Sequence, residues 1–236
     1  MKISSEQNHR LKEVRKLRMR RRARERAGRF VAEGEDLLAA ADAAGWEPLE
    51  RYCAAGSGLP GVEVEVRALT QASGLASGTR ALAVYAERWA PRAIGPLCLY
   101  LHGVHDPANV GAALRSAEAF GAACVALGPG SADPFSPKAV RASMGAVFGT
   151  HLARVERISE LPGATVALAV GEGRPLDGLV LDGEVSLLIG AERDGLPPEV
   201  IAAADHVAQI PIRTNSLNAA MAATVGLYEA TRMARR

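Results

Sequence analysis

Cysteine, lysine and long apolar runs are all scarce in this chain of 236 residues. The three cysteines, Cys53, Cys98 and Cys124, are odd in number, far apart and never in C-x-x-C spacing. That excludes a disulfide framework and a zinc ribbon, and it points to a reducing compartment. No run of about 18 apolar residues is present to span a bilayer, and residues 1–30 are too charged to hold the apolar region of a signal peptide. A cytoplasmic protein without a membrane partner is expected. Lys138 is the only lysine beyond residue 16 and no G-x-x-x-x-G-K-[ST] occurs, which removes the P-loop nucleotidases. Ser216 does not sit in a G-x-S-x-G elbow, so an α/β-hydrolase has little support. GPGSAD (128–133) and GEGRPLDG (171–178) each lack one glycine of G-x-G-x-x-G and read as turns, which also leaves a Rossmann-type methyltransferase without its fingerprint. His102 and His105 flank Gly103 with no further ligand-type neighbours, a pattern that suits loop hydrogen bonding better than a metal. No metal is expected.

The charge that is present is unevenly placed. Residues 1–30 hold twelve Lys/Arg against Glu6, Glu13 and Glu25, a net +9, and the remainder carries −7. A basic arm on an acidic body suits a polyanionic partner, most often nucleic acid, although a solvated charged helix would look the same. Ser4 and Gln7 have capping-box spacing, Leu11, Val14 and Leu17 form a narrow apolar stripe, and Gly28 can end the helix, so one helix over 5–27 is predicted. Its outer face would carry Arg15, Arg18, Arg22 and Arg26, whose forked guanidinium groups suit phosphate. A second helix is predicted near 33–44, strands at VEVEV (62–66) and ALAVYAE (81–87), and a short helix over Leu69–Ala76. Two prolines and a glycine over 88–96 mark a boundary. The expected division is a basic helix plus small α/β domain at 1–90, a linker at 91–96 and a second domain at 97–236.

In that second domain short apolar strands near 97–103, 124–128, 151–156, 165–170, 185–190 and 206–210 alternate with helices near 108–120, 136–143 and 197–203 and a last helix from 216. The alternation predicts a mostly parallel sheet covered on both faces, with ligands at the carboxyl ends of its strands. Three polar clusters fall at such strand ends. In HDPANVGAALRSAEAFGA (105–122), Asn109 can cap or start a helix and Arg115 follows six residues on. In LLIGAERDGLPPE (187–199), Gly190 follows a buried strand and Glu192, Arg193 and Asp194 crowd a loop closed by Gly195. In IPIRTNSLNAAMAA, from 210, Ser216 and Asn218 flank Leu217 at a helix start. Taken singly, each cluster reads better as caps and turns.

Taken together, DPANVGAALRSAEAFG, LLIGAERDGL and IPI followed by SLNAAMAA resemble the three ordered motifs of the SpoU, or TrmH-like, branch of the SPOUT RNA methyltransferases. The segments ISSEQNHRLKEVRKL, RFVAEGEDLL and ALAVYAE resemble the substrate-binding domain that precedes the catalytic domain in many members. The resemblance implies an S-adenosylmethionine-dependent RNA 2′-O-ribose methyltransferase with a trefoil-knotted C-terminal α/β domain, dimeric through that domain. It implies cofactor contacts from Gly190, Ile210, Leu217, Val170, Gly171 and Gly195. It places Arg115, Asn109, Glu192, Ser216 and Asn218 in the chemistry, with Glu192 holding Arg115 or a loop in place. Guanidinium groups keep their proton in proteins, so the minimum role for Arg115 is to orient the hydroxyl and balance phosphate charge. Ribosomal RNA is the expected acceptor; transfer RNA, or a non-catalytic RNA-binding or ribosome-assembly role on the same fold, are the alternatives. The loop Arg213–Thr214–Asn215 is about two residues shorter than the family pattern.

Overall fold

The computed structural model describes residues 2–75, 78–180, 182–214 and 216–233. Two places named above, Ala76 at the end of a predicted helix and Asn215 in the shortened loop, lie outside these residues. The chain divides into two compact units, Met1–Glu87 with Asp133–Phe148, and Arg88–Ala132 with Gly149–Arg236. Residues 133–148, which the sequence places within the second domain, therefore group with the first unit.

In the first unit the predicted helix over 5–27 is two helices, α1 (His9–Met19) and α2 (Arg21–Ala27), parted at Arg20 with φ −129° and ψ 113°. The cap of α1 is Asn8, whose Oδ1 accepts from Arg10 N at 2.9 Å, and not the Ser4 box. Arg24 fastens the two helices at the break. Its side chain is buried, and Nη1 donates to the carbonyls of Leu17 and Arg18 at 2.7 and 3.2 Å, capping the end of α1. Gly28 does end α2, in the left-handed region at φ 60°.

β1 (Arg29–Glu33) follows, a strand missed in the sequence because its run RFVAE does not alternate; it is buried from Phe30 onward. α3 is Glu35–Ala43, β2 Glu50–Ala54, β3 Val62–Val64, α4 Val66–Ala72 and β4 Ala81–Ala86. α4 starts three residues before the predicted helix and takes Val66 from the predicted strand. The sheet order is β1-β4-β2-β3, with only β2–β3 parallel. Leu11, Val14 and Leu17 of α1, the predicted stripe, are buried with Tyr52, Leu69 and Leu82. Beside them Phe30, Trp46, Tyr85, Phe135 and Phe148 stack at centroid distances of 4.7–6.3 Å. These rings tie 133–148 into the unit.

The second unit holds a seven-stranded, wholly parallel sheet: β5 (Leu97–Leu101), β6 (Cys124–Leu127), β7 (Leu152–Arg154), β8 (Ala164–Leu168), β9 (Arg174–Pro175), β10 (Val185–Ile189) and β11 (His206–Gln209), ordered β7-β6-β5-β10-β8-β11-β9. Only β9, two exposed residues long, was not foreseen. One face packs on α5 (Pro107–Ala119) and α9 (Ala219–Met233). The other buries Cys98, Tyr100, Ala126 and Leu188 beneath Val200 and Ile201 of α8 (Pro198–Ala203). Strands covered on both faces read as near-continuous apolar runs, which is why they were legible.

The turn into β11 is pinned by Asp205. Its Oδ2 accepts from Thr165 N and Thr165 Oγ1, both at 2.8 Å, and Thr165 Oγ1 accepts from Asp205 N at 3.0 Å. Donation from the backbone and hydroxyl of Thr165 holds this carboxyl below its usual value of 3.8. A depressed carboxylate stabilises the fold above the unfolded-state value and loses that contribution as pH falls through the folded-state value. Asp205→Ala is therefore expected to cost about 1 kcal/mol at neutral pH and progressively less below pH of about 4, as urea unfolding at several pH values would show. A cost that does not change with pH would contradict this account.

Candidate active site

The loops that follow β8, β10 and β11, three neighbouring strands, open on one cavity of about 400 Å³. Leu168, Ala169, Val170 and Glu172 come from the first loop, Gly190–Leu196 from the second, and Ile210, Ile212, Ser216 and Leu217 from the third. Its volume is that of a small-molecule site. Aliphatic wall and charged rim are distinct: Ile189, Ile210 and Leu217 on the one hand, Glu172, Glu192, Arg193 and Asp194 on the other.

The second loop is closed on itself by reciprocal backbone hydrogen bonds between Ala191 and Gly195, both at 3.0 Å. Gly195 turns back at φ +67°, and a Cβ on Gly190 would stand 2.1 Å from Gly195 C and 2.2 Å from Leu196 N. Gly190 is thus required by the loop's close approach to itself, and Gly195 by its left-handed backbone. They shape the site through backbone.

Beside the cavity three side chains form a chain. Asn218 Nδ2 donates to Asn109 Oδ1 at 2.9 Å, and Asn109 Nδ2 donates to Glu192 Oε1. Asn218 also caps α9, its Oδ1 accepting from Ala220 N at 2.9 Å and Met221 N at 3.3 Å. Asn109 is not a cap. Asp106 takes that role, accepting from Ala108 N at 2.9 Å with Pro107 in the first turn. Asn109 is thereby left free for its two partners. The Glu192 carboxylate goes to Asn109, not to Arg115. Arg115 is exposed on α5 and has no side-chain partner among the described residues. α5 itself is held to α9 by Ser116 Oγ and Thr224 Oγ1 at 2.7 Å.

Of the predicted cofactor residues, Gly190, Ile210, Leu217, Val170 and Gly195 line the cavity; Gly171, with φ +74°, follows Val170 and is not part of the lining. Ser216 lines it too, and Asn109, Arg115 and Asn218 lie outside the lining. Glu172 and Ile212 were missed, although they stand one and two residues from the predicted contacts Gly171 and Ile210. His102 shares a hydrogen bond with the Tyr100 hydroxyl through Nδ1 at 2.9 Å. Burial lowers the imidazole and pushes Tyr100 up to about 12.

The four arginines expected to meet RNA do not share one face. Arg15 donates to Gln71 Oε1 at 3.0 Å and to the Glu6 carbonyl at 2.8 Å. Arg18 pairs with buried Glu33 and donates to the Ala72 carbonyl at 2.7 Å. Arg22 and Arg26 are exposed on α2.

A parallel α/β sheet with a cavity walled by the carboxyl ends of adjacent strands, and polar side chains converging at its rim, defines a small-molecule-binding α/β protein. The chain belongs to the SpoU rRNA Methylase family, whose model matches residues 96–228. Residues 8–88 match the MRM3-like substrate binding domain. A Ribosomal RNA small subunit methyltransferase G 2 of Syntrophobacter fumaroxidans is 42% identical over 146 residues, 60% of this chain and 29% of that protein. A 23S rRNA (guanosine-2'-O-)-methyltransferase RlmB of Vibrio vulnificus is 33% identical over 146 residues, 58% of this chain and 59% of that protein. The chain therefore spans less than two thirds of either relative. An AdoMet-bound rRNA methyltransferase from Sinorhizobium meliloti superposes with a TM-score of 0.88 at 28% identity, covering 98% of this chain and 97% of that one.

Proposed function

We propose that this protein is an S-adenosylmethionine-dependent methyltransferase that modifies a ribose 2′-hydroxyl of RNA, with ribosomal RNA of the large subunit the preferred acceptor. The observation that carries the reading is the position of Glu192. It lines the donor-sized cavity and also holds Asn109, on the helix that presents Arg115, which has no partner among the described residues. A donor site and an acceptor-side cation are thus linked by one hydrogen bond.

The residues present suit the cofactor. The aliphatic wall of Ile189, Ile210 and Leu217 fits an adenine face, and Glu172 and Asp194 offer negative charge to an ammonium and a sulfonium. Arg193 offers a fork to a carboxylate. Val170, Gly171, Gly190 and Gly195 would contribute backbone. When bound, the cofactor supplies a methyl carbon made electrophilic by the sulfonium. The chain's own task is then positioning, since an in-line approach of the ribose oxygen sets most of the rate. Arg115 orients the hydroxyl and balances the adjacent phosphate. Ser216 and Asn218 fix the ribose and the donor by hydrogen bonds, and Asn109 keeps α5 in register with the Glu192 loop. That three loops surround one cavity supports the trefoil threading expected of the family.

A homodimer through the second unit is part of the reading. α9 exposes Met221, Val225 and Tyr228 at 61%, 37% and 53%, an i, i+4, i+7 stripe left to water on a single chain. Sedimentation equilibrium that returned a monomer at micromolar concentration would remove it. A cytoplasmic site of action follows from an rRNA acceptor.

The activity is tested by calorimetry with S-adenosylmethionine and by transfer of its labelled methyl group to unmodified ribosomal RNA and to transfer RNA transcripts. Binding with labelling of ribosomal RNA is expected. RNA binding without any cofactor binding would instead identify a non-catalytic assembly protein. Mapping 2′-O-methyl groups by nucleotide in a deletion strain then names the acceptor.

A further inference from the structure

Four charged side chains line the cavity, and only one of them is engaged. Glu192 accepts from Asn109, whereas Glu172, Arg193 and Asp194 have no side-chain partner among the described residues. Unpaired charges gathered on a concave site select a ligand of the complementary pattern. Two carboxylates and one guanidinium call for two cations and one anion.

The chain divides that pattern between two loops. Arg193 and Asp194 are neighbours in the loop after β10, so they suit an anion and a cation that lie side by side in the ligand. Glu172 stands apart from them, in the turn after β8, at the start of the stretch GEGRPLDG (171–178). That turn is held at both ends by β11. On one side Ala169 N donates to the Ala208 carbonyl at 2.9 Å. On the other, Gly173 comes so close to β11 that a Cβ would stand 2.0 Å from the Val207 carbonyl oxygen, and its φ of +75° is again a glycine conformation. Glu172 is therefore carried at the cavity by an anchored turn, with its carboxylate unpaired although Arg174 follows two residues on.

We infer that Glu172 reads the charge of the sulfonium, so that this site distinguishes the methyl donor from its demethylated product. The inference rests on the methyltransferase reading, and on S-adenosylmethionine as the ligand. In that molecule the ammonium and the carboxylate share one carbon, which matches Asp194 beside Arg193. The sulfonium is two methylenes away and carries the charge that methyl transfer abolishes. Donor and product have the same adenosine and the same amino-acid end, and differ by one methyl group and one positive charge. Glu172 is the free charge left to sense that difference. Once the methyl group has gone, its carboxylate faces a neutral thioether, which favours exchange of product for fresh donor.

Calorimetry at low ionic strength tests this with three ligands: S-adenosylmethionine, S-adenosylhomocysteine, and a donor analogue with a protonated tertiary amine in place of the sulfonium. The wild-type protein is expected to bind the two cationic ligands about fivefold more tightly than the product, the attraction of two unit charges near contact under water-like screening, and the preference should shrink as salt is added. Glu172→Gln should weaken both cationic ligands by about that factor and leave the product unchanged, so that the preference disappears. Glu172→Asp, which keeps the charge, should keep the preference. Arg193→Gln and Asp194→Asn should weaken all three ligands alike and preserve it. Equal weakening of donor and product by Glu172→Gln would overturn the inference, as would a preference that survives this substitution or is abolished by Asp194→Asn instead. A wild-type protein that binds and uses S-adenosylmethionine without preferring it to the product would overturn the inference alone. One that binds none of the three ligands would remove the methyltransferase reading together with it.

Discussion

Arg115→Ala is expected to lower methyl transfer by about 10³-fold or more while leaving S-adenosylmethionine affinity unchanged. The separation follows from where the side chain sits. Arg115 is outside the lining of the cavity, exposed, and unpaired among the described residues, so its loss neither empties the donor site nor leaves a buried partner without its charge. α5 keeps its place through Val110, Ala113, Leu114 and Ala117, and through the Ser116–Thr224 bond. On the proposed role, what would be lost is the fork that holds phosphate and hydroxyl together, a positioning term worth several factors of ten. Arg115→Lys should recover little, because an ammonium keeps the charge without the fork. Single-turnover transfer of labelled methyl groups, with calorimetry on the same preparations, gives both quantities. Loss of cofactor affinity in step with transfer would move Arg115 into the donor site; unchanged transfer would remove it from the chemistry.

Glu192 shows how far a sequence can lead and where it stops. Its place after a buried strand, in a loop closed by Gly195, was legible because β10 is an unbroken apolar run and the loop's glycines punctuate it. The parallel sheet was legible for the same reason. Its partner was not legible: Asn109 lies 83 residues earlier, and only the strand order, which sets β5 beside β10, brings the two loops together. Asn109 was also hidden behind a plausible capping role that Asp106 performs. On the basic arm, composition displayed the charge but not its direction. Periodicity could place Leu11, Val14 and Leu17 inward, because apolar burial repeats with the helix. Arg18 and Arg24 stand seven residues after Leu11 and Leu17, on the same side, but periodicity could not name the distant carboxylates, Glu33 and Asp133, that receive them. Nor does a local pattern show that 133–148 groups with the first unit, a matter of aromatic contacts across a hundred residues.

Arg24 carries the second large expectation, in stability. Its side chain is 5% exposed and that of Asp133 11%, and the guanidinium also satisfies the carbonyls of Leu17 and Arg18 at the end of α1. Arg24→Ala leaves a buried carboxylate without its cation and two helix-end carbonyls without a donor. Breaking such a pair from one side costs about 3–5 kcal/mol, far beyond the loss of an exposed pair such as Arg21–Glu25, which is worth below about 1 kcal/mol. The order of effects is the test. Asp133→Asn should cost less than Arg24→Ala, because the one amide oxygen can still accept from the guanidinium and no charge is left buried without its partner, although Phe135 N then loses its acceptor. Arg24→Met combined with Asp133→Leu should recover part of the loss, since removing both charges also removes their desolvation, yet the two carbonyls remain uncapped. Urea unfolding followed by Trp46, whose indole donates to the Phe148 carbonyl at 2.9 Å in the same unit, reports on this region when Trp89 is replaced by phenylalanine. Equal, small costs for Arg24→Ala and Arg21→Ala would show that Arg24 does not fasten α1 to α2.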